Sequence, residues 1–261
     1  MKRQLFGWSV IVALALAGCG DDDGKSQDNG EKGSGGEDVS QNAKAWDPAL
    51  GTVTVKGTVK FKGTPPRRRP VDTGAEPKCE HLGEVLDESV IVNDDGTLKN
   101  VFVWVKKGLG DWRFPVPTEA ALLSQKGCTY RPHVQALQAR QELVIRNDDD
   151  FLHNVHVFAK RNKDFNLGQA QKGMETTKTF SRPEVMIKVK CDVHGWMSSY
   201  IGVVSHPYFA VTGDDGSFEF ANLPPGEYTV EAWHEVFDAQ TLVVKVDDKE
   251  SKDIEFTFEE E

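Results

Sequence analysis

Four side chains in the middle of this chain have the types and spacing to hold a soft metal ion: His153, Cys191, His194 and Met197. The last three recur at three-residue steps in Lys190-Cys191-Asp192-Val193-His194-Gly195-Trp196-Met197. His153 is selected over its neighbour by strand parity. In Phe151-Leu152-His153-Asn154-Val155-His156-Val157 it shares a face with Val155 and Val157, whereas His156 points the other way. One thiolate, two imidazoles and a thioether form the His₂Cys set with a weak axial Met that suits copper and one-electron transfer. Zinc also accepts His₂Cys, but catalytic zinc keeps a water position that Met197 would crowd. The lone loop cysteine disfavours a dinuclear centre. The plain alternative is a buried core thiol with structural histidines. No Ser-His-Asp or paired-carboxylate arrangement can be picked out, so an enzyme is not expected and no residue is assigned to catalysis.

The elements that must position these residues are strands. Val185, Ile187, Val189 and Cys191 fall on one face of a period-two run, which predicts that Cys191 points inward at a strand end. Leu143-Val144-Ile145-Arg146-Asn147 reads as another strand, turning through Asp148-Asp149-Asp150 toward His153. Period two also governs Val53, Val55, Val59 and Phe61, and again Val101, Val103 and Val105, with turn signals such as Asn93-Asp94-Asp95-Gly96 between runs. Residues 118–124 are the one short helix expected. The fold class is therefore all-β, in sandwiches.

These residues bring a family into view. Leu152-His153-Asn154-Val155-His156, the Cys191-x-x-His194-x-x-Met197 loop, and Cys128-Thr129-Tyr130-Arg131-Pro132-His133 with 141–147 resemble the cupredoxins, nearest in motif to the amicyanin type. The likeness covers residues 121–204. It implies a Greek-key sandwich holding one mononuclear type 1 copper, with His153, Cys191 and His194 equatorial and Met197 axial. It also implies that Asn154 ties the two ligand loops together beside the sulfur. His194 becomes the expected electron port, reaching the surface through an apolar rim for which Trp196 and Tyr200 are candidates. Gly195 stands where the amicyanin type has proline.

A second resemblance lies C-terminal. Phe209-Ala210-Val211-Thr212-Gly213-Asp214-Asp215-Gly216-Ser217-Phe218, then Asn222-Leu223-Pro224-Pro225-Gly226-Glu227-Tyr228, read as strands joined by tight reversals and are similar to the carboxypeptidase regulatory-like, transthyretin-like sandwich. That stretch supplies about five of the roughly seven strands such a sandwich wants. Residues 52–62 and 100–106 are candidates for the missing ones. The expected organisation is then 49–114 and 206–261 as the two parts of one sandwich, interrupted by a cupredoxin-like domain at 115–205. Three consecutive β-units are the alternative.

The remaining cysteines and the charge set the context. Lys2 and Arg3, an apolar run, and Leu16-Ala17-Gly18-Cys19 resemble a bacterial lipobox, which makes 1–18 a signal peptide and Cys19 the lipidated residue. An ordinary signal with a chance cysteine is the alternative. Residues 19–48 are rich in Gly, Asp, Glu and Ser, as expected of a disordered tether spanning roughly 30 Å root-mean-square. In an oxidising compartment Cys79 and Cys128 are expected to pair, although Cys79, His81, Cys128 and His133 could instead form a second metal site. A net charge of −10 over 261 residues disfavours nucleic acid as a partner, which needs a basic face. Arg67-Arg68-Arg69 reads as a solvated loop, and His206 and His234 as surface or packed residues. The expected function is a one-electron copper carrier in the cell envelope. It would be lipid-anchored, at the periplasmic face of the outer membrane or the outer surface, and serve a redox partner protein such as a cytochrome or oxidoreductase. A non-redox copper-binding, storage or adhesion sandwich contacting a glycan or protein is the rival.

Overall fold

The computed structural model describes residues 40, 42–74 and 76–260. The expected signal peptide, Cys19 and most of the expected tether lie outside them, but the end of the stretch expected to be disordered is ordered: Lys44 and Ala45 pair with Trp112 and Arg113, and Trp46 packs on a hydrophobic core, because its apolar side chains find a surface to bury against. In chain order the elements are β1 (Lys44–Ala45), β2 (Val53–Lys62), helix α1 (Pro77–Glu80), β3 (Phe102–Lys107), β4 (Trp112–Arg113), β5 (Ala121–Gln125), β6 (Tyr130–Arg131), β7 (Val134–Gln138), β8 (Glu142–Asn147) and β9 (His153–Phe158). There follow β10 (Phe165–Gln169), β11 (Glu175–Thr179), β12 (Glu184–Lys190), β13 (Ser198–Val204), β14 (Phe209–Val211), β15 (Ser217–Leu223), β16 (Gly226–Trp233), β17 (Gln240–Val246) and β18 (Ser251–Glu259). The molecule is nearly all β, as the period-two patterning requires. No described helix is long and apolar enough to cross a membrane.

Apart from the short parallel β1–β4 pair, the strands form two pairs of sheets. One pair, ordered β10-β9-β12-β13-β7 and β11-β8-β5-β6, encloses Leu123, Leu143, Ile145, Val155, Val157, Ile187, Val189 and Ile201. The other, ordered β14-β3-β16-β17 and β15-β2-β18, encloses Val53, Val55, Val103, Val105, Phe220, Val230 and Phe256. The chain leaves the second pair after β3 and re-enters it at β14. Strand β3 explains its own continuous apolar run. Val103 and Val105 face the sandwich to which it belongs, while Phe102 and Trp104 face away and join Val134 and Val204 in a seam cluster between the two sandwiches. Both faces are buried, so alternation with polar residues disappears. Gly202 in β13 belongs to this seam, because a Cβ there would lie 2.9 Å from the Phe102 ring.

Two local expectations fail. Residues 121–125 are strand β5, pairing in parallel with β8 from Ala121 opposite Leu143 to Gln125 opposite Asn147, where a helix was expected. Pairing with a buried neighbour outweighs the helical propensity of a few Ala and Leu. The four Val185-to-Cys191 residues also do not share one face. The β12–β13 register shifts between Glu184 and Ile187, with Met186 at φ 60°, so Val185 packs at the seam while Ile187, Val189 and Cys191 enter the core.

Candidate metal centre

Strand β12 lies beside β9, with Val189 opposite Val157 and Lys190 opposite His156, so the end of one meets the start of the other. The loop from β12 to β13 is closed by its own backbone: the Cys191 N–H donates to Met197 O at 3.2 Å and the Met197 N–H to His194 O at 2.9 Å. This loop and the start of β9 together bring His153, Cys191 and His194 to one point, with ligand atoms all within 4.8 Å of one another. The two Nδ1 atoms are 2.9 Å apart, and Cys191 Sγ is 3.6 Å from His194 Nδ1. All three residues are buried, and Met197 is buried in the same core cluster as Cys191. A soft sulfur donor and two imidazole nitrogens converging at a buried point are a donor set that fits copper.

Neighbouring groups hold each donor. Asn154 Oδ1 accepts from the Asp192 N–H at 2.6 Å and the Val193 N–H at 3.3 Å and lies 3.3 Å from Cys191 Sγ. Its Nδ2 donates to Asn166 and Asp192, so one amide bridges β9, β10 and the Cys191 loop. The His194 N–H donates to Cys191 Sγ at 3.4 Å. His153 is held from behind by Asp149, whose Oδ2 is 2.9 Å from Nε2 and which also accepts from the N–H groups of Gly127 and Cys128. The carboxylate thus takes the Nε2 proton and leaves Nδ1 free to face the sulfur. Sequence reasoning missed Asp149, placing it in a turn. The available signal was its position four residues before His153.

The electrostatics follow from these contacts. Burial pushes the Asp149 carboxyl up, but the bonds from His153 and the two backbone N–H groups outweigh it and hold the pKa below the carboxylate range. For Cys191, burial again raises the pKa and is outweighed by His153 and neighbouring backbone N–H groups, leaving the thiol lowered toward thiolate. His153 is lowered by burial but raised more by Asp149 and Cys191. His194 is lowered, first by burial and then by the adjacent His153.

The expected electron port is closed. His194 is 1% exposed, and its Nε2 is buried with no hydrogen-bond partner among the described residues. The cover is the segment after β2. Glu76 caps α1 by accepting from the Lys78 N–H through Oε1, and its Oε2 lies 3.9 Å from His194 Nε2. Lys78 sits over the Phe151 ring, and the Phe151 and Trp196 rings both flank His194. Cys79 of α1 is disulfide-bonded to Cys128, which fastens this cover to the ligand-bearing sandwich. Tyr200 forms no rim, since it packs on Trp233 and His133. The cover escaped sequence reasoning because a four-residue helix leaves no periodic trace. The alternative second metal site is also excluded: both its cysteines are in the disulfide and His133 pairs with Glu235. His206 and His234 are packed, at 5% and 2% exposure, and the Arg67–Arg69 loop is largely open to solvent, with Arg68 donating to Asp87 O.

Comparison with known proteins adds the following. The carboxypeptidase regulatory-like domain model matches residues 202–259, the stretch carrying β14 to β18. A copper-containing nitrite reductase from Thermus scotoductus SA-01 is similar at 19% identity and a TM-score of 0.32, over 35% of this chain and 24% of that one. The chain thus spans about a quarter of that protein's length. An amicyanin variant is similar at 20% identity and a TM-score of 0.29, over 34% of this chain and 85% of that one. A purple cupredoxin from Nitrosopumilus maritimus is similar at 20% identity and a TM-score of 0.28, over 32% and 98%. No curated protein matches the chain.

Proposed function

We propose that this protein is a mononuclear copper protein of the cell envelope that carries single electrons and performs no bond chemistry, anchored through a lipid on Cys19 and served by a redox partner protein. The observation that carries the reading is the buried convergence of His153 Nδ1, Cys191 Sγ and His194 Nδ1. Copper bound there supplies a one-electron couple, since thiolate and thioether favour Cu(I) while imidazole also accepts Cu(II). The chain's own residues do the rest. Asp149 orients His153, Asn154 and the His194 N–H fix the sulfur, Met197 in the same buried cluster would supply the weak fourth donor, and the surrounding core shields the site from solvent. The test is colour: copper-loaded protein shows an intense thiolate-to-copper visible band, bleached on reduction, and Cys191→Ser abolishes it. A colourless complex, or a copper site indifferent to that substitution, overturns the reading.

A second reading, in which copper is held and not cycled, is favoured by the cover over His194. Electron exchange with small soluble oxidants decides between them. Oxidation of the reduced, loaded protein within seconds supports the carrier, and no oxidation over minutes supports storage.

A further inference from the structure

At the opposite end of β8, β12 and β13 from the metal loops, the two sandwiches leave a cleft of about 450 Å³. Its lining includes Arg113, Arg140 and Arg182 with the hydroxyls of Ser181 and Ser205, and Ser40, whose hydroxyl donates to Asp111 Oδ2 at 2.5 Å at the cleft's edge; no lining residue is itself acidic. That composition stands out in a chain with 41 acidic side chains. Two arginines outside the cleft pair with carboxylates, Arg131 with Glu88 and Arg146 with Asp148. The side chains of Arg113, Arg140 and Arg182 have no hydrogen-bond or ion-pair partner among the described residues.

The backbone holds the cleft ready. The Ala139 N–H donates to Val204 O and the Arg140 N–H to Phe180 O, both at 2.7 Å, which fixes the β7–β8 turn against the segments carrying Ser205 and Arg182. Arg140 sits at φ 74°, a left-handed conformation where glycine is the default and arginine is strained. Phe114, buried against Trp46 and Tyr208, forms part of the wall. A neighbouring cleft of about 350 Å³ shares Ser40, Phe114 and Ser205 and adds Trp104 and Trp112.

From this geometry we propose that the cleft is a binding site for a small multivalent oxyanion bearing phosphate or carboxylate groups. Guanidinium groups match the planar oxygens of either, and hydroxyls supply further donors. A seam between packed units is also where small-molecule sites commonly form. The site is independent of the copper centre.

Calorimetric titration of the full chain with pyrophosphate and with citrate, in metal-free low-salt buffer, tests this. Binding of at least one probe is expected, weakening as salt rises; pyrophosphate alone assigns phosphate and citrate alone assigns carboxylate. Arg140→Gly is expected to weaken binding by about tenfold or more while leaving the melting midpoint equal or higher, because glycine relieves the left-handed strain. The double substitution Arg113→Gln with Arg182→Gln is expected to abolish binding with the fold intact by circular dichroism. No binding of either probe by the unaltered chain, or equal binding by the variants, overturns the proposal.

Discussion

At the residue scale the centre depends on groups that never touch a metal ion. Asp149 sets which His153 nitrogen carries the proton and is itself held ionised by three donors. Replacement by Asn keeps the size and removes the charge. Asp149→Asn is expected to weaken copper binding by about 10- to 100-fold, measured by competition with a chelator of known affinity. The circular dichroism should stay unchanged, and an affinity within twofold of the unaltered protein would refute the role. Residue-level chemistry was legible where it lay in local spacing. The Cys191, His194 and Met197 steps and the inward parity of His153 could be read directly, and all four side chains are buried in one region. Asp149 and Glu76 could not be read, because each acts through a contact made by the folded chain. Asp149 looks like one of three turn aspartates, and Glu76 reaches His194 from a segment beyond the ligand-bearing sandwich.

At the element scale the cover over His194 is the feature that departs most from the expected site. It is short, with a four-residue helix and loops clipped by the Val71 N–H to Val85 O bond and the Asp87 N–H to Arg69 O bond. Its covalent cross-link to the ligand-bearing sandwich is the Cys79–Cys128 bridge, which spans 49 residues and is joined by the Arg131–Glu88 ion pair. On the chain-entropy account a loop of that size is worth about 4 kcal/mol against the unfolded state. The Cys79→Ala, Cys128→Ala double variant should therefore lose a large part of its stability by urea unfolding. If the cover is what insulates His194, the same variant loaded with copper should be oxidised by a small outer-sphere reagent at least about tenfold faster, with its visible band unmoved. An unchanged rate, together with hydrogen exchange showing residues 70–89 released, would refute the insulating role. Strands announced themselves by alternation, whereas β5 was misread because the short apolar run Ala120-Ala121-Leu122-Leu123 has no decisive period. The bulge in β12 was invisible for a different reason: nothing in Val185-Met186-Ile187 marks Met186 as left-handed.

At the scale of the whole molecule, stability couples to pH through two buried histidines outside the ligand set. His206 stacks on Trp104 and Tyr208 near the seam, with burial pushing its pKa down to about 4. His234, stacked on Phe237, is likewise brought to about 4, first by burial, with Glu235 raising it and His133 lowering it. Both are neutral in the folded chain and have an ordinary pKa of 6.5. Between pH 6.5 and about 4 the unfolded chain therefore binds protons that the folded chain refuses. Stability is full above the upper limit, falls as the pH drops through this window, and levels off below it. A displacement of that size corresponds to at most about 3 to 4 kcal/mol for each residue. His153, whose pKa is raised, acts in the opposite direction, so the measurement must be a difference. Urea midpoints of the metal-free protein at pH 7.5, 6.5, 5.5 and 4.5, compared with those of His206→Gln and His234→Gln, isolate the effect. Each variant is expected to be less stable at pH 7.5, because glutamine does not refill an imidazole site, yet to lose less stability on acidification than the unaltered chain. Parallel curves for variant and unaltered protein would mean that the proton uptake resides elsewhere, and that the burial of these two imidazoles does not couple stability to pH.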